Sequence, residues 1–198
     1  MSKVKIILAS SSPRRKYLLG IILNNFGLKF DVIPANIKEC IPKKVKNYPE
    51  LVKKLAYNKA YAVAGKHNGV IIGADTVVVL KGKVLGKPVN RREACKMLEL
   101  LSGKEHEVYT GIAIIHTENH VRYTDYELSR VKFRKLEDRE IKYYVNSGSP
   151  MDKAGSYGIQ DDFGSTFVKK INGDYFNVMG LPVVKTYLGL KKILNIRF

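Results

Sequence analysis

Cysteine is nearly absent from this 198-residue chain, which carries only Cys40 and Cys95, and neither belongs to a CxxC pair. That excludes a disulfide framework and favours a reducing compartment. No apolar run approaches the roughly 18–20 residues that cross a bilayer. The N-terminal apolar stretch, residues 6–9, is shorter than the about 7–15 residues of a signal-peptide core. The expected location is therefore the cytoplasm, with no membrane partner. Acidic residues are also scarce: 18 Asp+Glu against 35 Lys+Arg leave a net charge of +17. Such a balance attracts phosphate-bearing partners, polymeric or small. The basic residues are 26 Lys and 9 Arg spread along the whole chain, whereas a dedicated nucleic-acid face clusters its charge and uses Arg for bidentate contacts. A lysine-rich solvated surface is the plainer explanation, and nucleic acid is not the expected partner.

Hydrophobic residues make up 45% of the chain, enough to bury a core. Its length fits one domain, 1–198, and no internal repeat, low-complexity tract or linker interrupts it. Residues 4–9 read as a buried strand ending in Ser10-Ser11-Ser12, and Pro13 suits the first turn of a helix running to Gly27. Residues 30–34 read as a second strand and 38–48 as a loop. Residues 49–66 carry helical spacing in Leu51, Leu55, Ala62 and in Ala56, Lys59, Ala60, Val63. Residues 70–80 are apolar except for Asp75 and Thr76, and read as a strand interrupted or turned there. Lys81-Gly82 reads as a hairpin turn into 83–85. Asn90 with Glu93 starts a helix over 91–101 that stops at Ser102-Gly103. Two long strands (106–116, 121–133), a helix over 138–146, a glycine-rich loop over 151–164, a strand over 166–171 and a closing helix over 181–194 follow. Alternation first, then long neighbouring strands, predicts an α/β fold with a mixed sheet.

Familiar signatures fail on spacing. Gly82-Lys83-Val84-Leu85-Gly86-Lys87-Pro88 has three residues between its glycines where a P-loop has four, and Pro88 stands where Ser or Thr would hold Mg²⁺. His106-Glu107 opens like a zincin motif and lacks the second His, and no GxSxG elbow is present. His116 and His120 flank a turn between strands and make a poor metal pair.

Five segments suit phosphate chemistry. Ser10-Ser11-Ser12-Pro13-Arg14-Arg15 sets hydroxyls and two guanidiniums where a strand meets a helix N-terminus, whose N–H groups and dipole favour anions. A capped helix with surface arginines explains those residues equally well. Gly73-Ala74-Asp75-Thr76 embeds a carboxylate in an apolar strand, a costly placement that demands a partner, a metal or a cleft. Gly86-Lys87-Pro88 puts a lysine at a hairpin end. Asp152-Lys153-Ala154-Gly155-Ser156-Tyr157-Gly158-Ile159-Gln160 mixes charge, glycine and one amide. Asn58-Lys59-Ala60 sets Lys59 on the more apolar side of a helix, where snorkelling is the alternative.

Together and in order, these segments resemble the Maf family over about residues 6–188. Ile7-Leu8-Ala9-Ser10-Ser11-Ser12-Pro13-Arg14-Arg15 resembles its N-terminal signature. Ile72-Gly73-Ala74-Asp75-Thr76-Val77-Val78 with Leu85-Gly86-Lys87-Pro88 resembles its central one. Leu100-Leu101-Ser102-Gly103, His106, Thr110-Gly111, the 152–160 segment and Gly180-Leu181-Pro182-Val183 continue the match. The resemblance implies a two-lobed α/β fold with a central cleft, shared with the inosine triphosphate pyrophosphatases and often dimeric. It implies cleavage of nucleoside triphosphates between the α- and β-phosphates, the nucleotide being the small-molecule partner.

It further implies that Asp75 takes the proton from an attacking water and that Glu39 is a second catalytic carboxylate. Both would hold a divalent metal, Mg or Mn. Arg14 falls at a substrate-selecting position, with Ser10 in the same signature, and Arg15, Lys59 and Lys87 hold the triphosphate. Thr76 and Gln160 match base-selecting positions of the dTTP/UTP branch. A modified nucleotide such as 7-methyl-GTP is the alternative substrate, and a basic nucleic-acid-binding module is the alternative of another class. Two departures stand out. Asp161-Asp162-Phe163 follow Gln160 where a glycine-containing pair is usual, and two carboxylates there would either repel phosphate or bind metal. Lys38 stands beside Glu39 where the family often has an acid.

Overall fold

The computed structural model describes residues 4–38, 40–42, 44–161 and 163–195. Strand β1 (Ile6–Leu8) leads to helix α1 (Pro13–Asn24), strand β2 (Asp31–Val32) and helix α2 (Tyr48–Ala64). Strands β3 (Val70–Leu80) and β4 (Lys83–Leu85) come next, then α3 (Arg91–Leu101), β5 (Glu105–His116) and β6 (Val121–Phe133). After α4 (Asp138–Asn146) come short 3₁₀ turns, strand β7 (Val168–Asn172), α5 (Tyr175–Met179) and α6 (Val183–Leu194). Seven strands among the described residues form one sheet in the order β2-β1-β3-β5-β6-β7, with β4 paired to β3. β1 runs parallel to β2 and β3, while β4 and β7 pair antiparallel with β3 and β6. The expected mixed α/β sheet is the one observed.

Three differences from the sequence expectation have physical causes. β3 runs unbroken through Asp75 and Thr76, because the buried carboxylate acquires a partner from another element rather than an exit to solvent. The 151–164 loop contains short 3₁₀ turns, Ser149–Asp152 and Ala154–Ser156, with Gly164–Phe167 after them. Helix α5 is five residues long, too short to show a helical period. The Lys81-Gly82 turn does form, with φ of +48° and +78°, the double positive φ of a tight hairpin turn. Asn90 caps α3 by accepting from the Glu93 N–H at 2.9 Å, and Glu93 accepts from the Val89 N–H at 2.7 Å. No helix among the described residues is long and apolar enough to cross a membrane.

The chain divides into two compact units. The first comprises Met1–Asp75, Thr110–Glu127 and Gly180–Phe198. Its core includes Ile7, Ile71 and Ala113 from the strands and Ala9 just after β1, packed with Ala56, Ala60 and Val63 of α2. Two glycines let α2 come this close. A Cβ on Gly73 would lie 2.3 Å from the Ala56 carbonyl oxygen, and one on Gly111 would lie 2.2 Å from that of Val52. Both clashes are with helix backbone, which has no rotamer to yield.

The second unit comprises Thr76–Tyr109 and Leu128–Met179. Its core is aromatic: Phe133 meets Tyr157 and Phe167 edge-on with ring centroids 4.8 Å and 6.0 Å away, and Tyr144 meets Phe167 at 5.2 Å. Such edge-to-face pairs exploit the opposed charge of ring rim and face. His106 is buried against Phe133 and Tyr157, sharing a 2.8 Å hydrogen bond between Nε2 and the Tyr157 hydroxyl. Its Nδ1 has no hydrogen-bond partner among the described residues. Burial lowers the His106 pKa to about 4 from 6.5, because an imidazolium there would lose its hydration.

This histidine makes stability depend on pH. Between about pH 6.5 and 4 the unfolded chain binds a proton that the folded chain refuses, so stability falls as pH falls through that window. A shift of this size corresponds to roughly 3 kcal/mol at most. Urea unfolding at pH 7 and pH 4.5 should show a smaller acid loss in His106→Gln than in the parent. Equal losses would show that His106 is not the group responsible.

Candidate active site

Asp75 is a carboxylate in the middle of an eleven-residue buried strand, and only 4% of it is exposed. Left alone, such a charge would cost several kcal/mol. Lys59 resolves this: its Nζ donates directly to Asp75 Oδ1, and the two side chains are 11% and 6% exposed. Lys59 reaches Asp75 because α2 presents Val52, Ala56, Lys59, Ala60 and Val63 along its buried face, and Gly73 admits that face to van der Waals range of β3. Snorkelling is thus not what Lys59 does; it turns inward.

The N-terminal signature lies in the same unit. β1 pairs with β3 up to Leu8 opposite Ile72, and the Ala9 N–H donates to the Ile72 carbonyl at 2.8 Å. The chain then leaves the sheet while β3 continues three residues to Asp75, about 10 Å further at the usual rise. The loop after β1 therefore runs on the side toward which Asp75 lies, at the carboxyl end of parallel strands, where open α/β sheets bind ligands. Ser12 caps α1, its Oγ accepting from the Arg15 N–H at 3.5 Å. Ser10 Oγ accepts from the Ser12 N–H at 3.2 Å and from Arg15 Nη1 at 3.3 Å, and Arg15 Nε donates to the Gly180 carbonyl at 2.8 Å. Part of the Arg15 guanidinium is thereby committed to tying the Gly180 turn to the start of α1. Arg14, next to it, is half-buried.

Thr76, Lys87 and Gln160 belong to the second unit. Thr76 is the residue after Asp75 on β3 and is partly exposed. Lys87 is exposed, and the neighbouring Gly86 carbonyl accepts from the Gly155 N–H at 3.0 Å, joining the β4 end to the 152–160 segment. Gly155 itself has φ of +68° and is crowded by Val78. Glu39, the second expected carboxylate, and Asp162 lie outside the described residues.

The 152–161 segment forms a buried polar cluster that sequence reasoning did not assemble. Lys153, 8% exposed, donates to the Ser149 carbonyl, to Asp152 Oδ1 at 2.7 Å, and stands 3.3 Å from Asp161 Oδ2. Asp161 also accepts from the Tyr144 hydroxyl at 2.6 Å, the Ser149 hydroxyl at 2.7 Å and the Gln160 amide at 2.9 Å. Burial first, and then this bond to Asp161, push the Tyr144 hydroxyl pKa up. The carboxylate of Asp161 is thus satisfied from within the second unit. The signal available in sequence was the departure at Asp161 itself, and its partners 17 and 12 residues away had no visible mark.

A sequence profile described as Maf-like protein matches residues 5–193. The chain belongs to the Maf family. A dTTP/UTP pyrophosphatase of Thermoanaerobacter sp. (strain X514) is 46% identical over 98% of this chain and 99% of its own length. One of Bacillus mycoides (strain KBAB4) is 48% identical over 95% of each. A HAM1 protein from Coxiella burnetii superimposes with a TM-score of 0.53 over 97% of this chain and 98% of that one, at 14% identity, a likeness of fold.

Removing the lysine of the buried pair should be costly. Lys59→Met should destabilise the protein by about 3–5 kcal/mol, the usual result of stranding a buried charge. The double variant Lys59→Met with Asp75→Leu should recover most of that loss in denaturant unfolding. Parental stability of the single variant would mean that Asp75 does not depend on Lys59.

Proposed function

We propose that this chain is a nucleoside triphosphate pyrophosphatase that cleaves dTTP and UTP to the monophosphate and pyrophosphate, with Asp75 as general base. The observation that carries the reading is the buried Asp75 held by Lys59 on a strand that is apolar but for Asp75 and Thr76. Buried charges held by a specific partner are enriched at functional sites. The relatives named dTTP/UTP pyrophosphatase, matched along nearly their whole length, support the substrate class.

The substrate is a polyanion, so bringing a nucleophile to phosphorus is opposed chiefly by electrostatics. Positioned cations offset this by neutralising charge that spreads over the phosphoryl oxygens. Lys59 puts one such charge beside the base itself, while Arg14, Arg15 and Lys87 bind the phosphates, with Ser10 offering a hydroxyl near the α1 N-terminus. The net charge of +17 favours encounter with the triphosphate. Asp75 takes the proton from the attacking water. Thr76 and Gln160 select the base, the glutamine through its amide. The reading places the enzyme in the cytoplasm.

A divalent metal, Mg²⁺ or Mn²⁺, belongs to the proposed reaction. Among the described residues no three His, Cys, Asp or Glu are grouped to hold an ion by themselves. Mg²⁺ needs no such cage, since it commonly takes one or two carboxylates and completes its shell with water and phosphate oxygens. Asp75 would hold it, joined by Glu39. When bound it supplies charge neutralisation at the phosphoryl oxygens.

Asp75→Asn should lower kcat by at least about 10²-fold, measured at a temperature where circular dichroism shows the variant folded, since it also leaves the Lys59 ammonium without its counter-charge. Across a panel of triphosphates the parent should turn over dTTP and UTP well above ATP and GTP. Near-parental turnover by the Asn variant overturns the role of Asp75, and a preference for GTP or a 7-methylated guanine nucleotide overturns the substrate.

A further inference from the structure

The Gln160 side chain is held by its neighbour. Its Nε2 donates to Asp161 Oδ1 at 2.9 Å. Asp161 cannot swing away to release it. Its other oxygen accepts from the Tyr144 hydroxyl at 2.6 Å and the Ser149 hydroxyl at 2.7 Å, and Lys153 Nζ stands 3.3 Å off. The carboxylate also lies directly over Gly158, where a Cβ would come within 2.5 Å of it. The Asp161 side chain is 15% exposed, and each of these residues belongs to the second unit.

A carboxylate receiving two hydroxyl protons and facing an ammonium can only accept. Of the two orientations of the Gln160 amide, one puts NH₂ against Asp161 and the other puts its carbonyl oxygen there. The second sets two acceptors together with no proton between them. Chemistry therefore fixes the amide's polarity.

We propose that Asp161 is a positioning residue for base recognition, anchoring the Gln160 NH₂ so that Oε1 is the group offered to the nucleobase. The inference rests on Gln160 reading the base and adds the sense in which it reads. Uracil and thymine carry an N3–H donor, whereas cytosine has a bare acceptor at the same ring position. A locked acceptor pairs with the first two and opposes the third. This separates UTP and dTTP from CTP and dCTP, which ring size cannot do. An amide free to rotate would turn its NH₂ to cytosine and lose the distinction.

The test is kcat/KM for UTP and for CTP in the parent, Asp161→Ala, Asp161→Asn and Gln160→Met, with a thermal unfolding temperature for each. The parent should prefer UTP. Asp161→Ala should reduce the UTP-to-CTP ratio roughly tenfold, the scale of one hydrogen bond. Asp161→Asn keeps an acceptor oxygen and should give an intermediate ratio. Gln160→Met should flatten the ratio, and adding Asp161→Ala to it should change the ratio no further. A purely structural Asp161 would lower both substrates in step and leave the ratio at its parental value, which overturns the proposal however far turnover falls. Where Asp161→Ala does not fold, Asp161→Leu, which also removes the acceptor, decides: a reduced ratio supports the lock and a parental one refutes it. A parental ratio in Gln160→Met is a separate outcome, the failure of the base-reading assignment of Gln160 itself.

Discussion

Burying Asp75 in β3 requires a cation within bonding distance, and the placement of α2 answers that requirement. The helix must bring Lys59 to the strand, and a long side chain alone does not do this. Its buried face is built from Ala56 and Ala60 around Lys59, and it lies on Gly73 and Gly111. Small residues on both surfaces bring the backbones together, so the lysine is held by packing rather than by its own flexibility. Pair and packing support each other. Without the glycines the ammonium would stand away from its partner, and without the ammonium a charged strand would face an apolar helix.

The second unit solves a similar problem differently. Asp161 and Lys153 are both largely buried, but the carboxylate is shared among two hydroxyls, an amide and an ammonium instead of being matched to one cation. A carboxylate so fully engaged has little capacity left for phosphate or metal. The hydrogen bonds of Asp161 run to the protein around it. Distribution over several donors is how buried polar networks become rigid.

What was legible in the sequence follows from what is local. A lone carboxylate in an apolar run marked Asp75, and helical spacing put Lys59 on a buried face. That these two residues, sixteen apart in the chain, meet depends on how their helix and strand are set side by side, which periodicity does not encode. Ignorance of that meeting is also why β3 was expected to break at Asp75. Caps were readable because they act over three residues: Ser12 and Asn90 both accept from the expected turn. The Arg15 bond to the Gly180 carbonyl spans 165 residues and left no trace in composition or spacing. The mixed sheet was legible in the order of elements, whereas α5 and the 3₁₀ turns were too short to carry a period.

The reaction we propose is the splitting of a pyrimidine nucleoside triphosphate at the α–β bond by water activated at Asp75. Triphosphates can also be opened at the β–γ bond, and a cationic site alone does not choose between the two. The most direct measurement is the ³¹P NMR spectrum of UTP as the purified enzyme consumes it with Mg²⁺ present. The account predicts resonances of UMP and pyrophosphate rising in equal amounts from the first time point. The appearance of UDP with inorganic phosphate instead would contradict it.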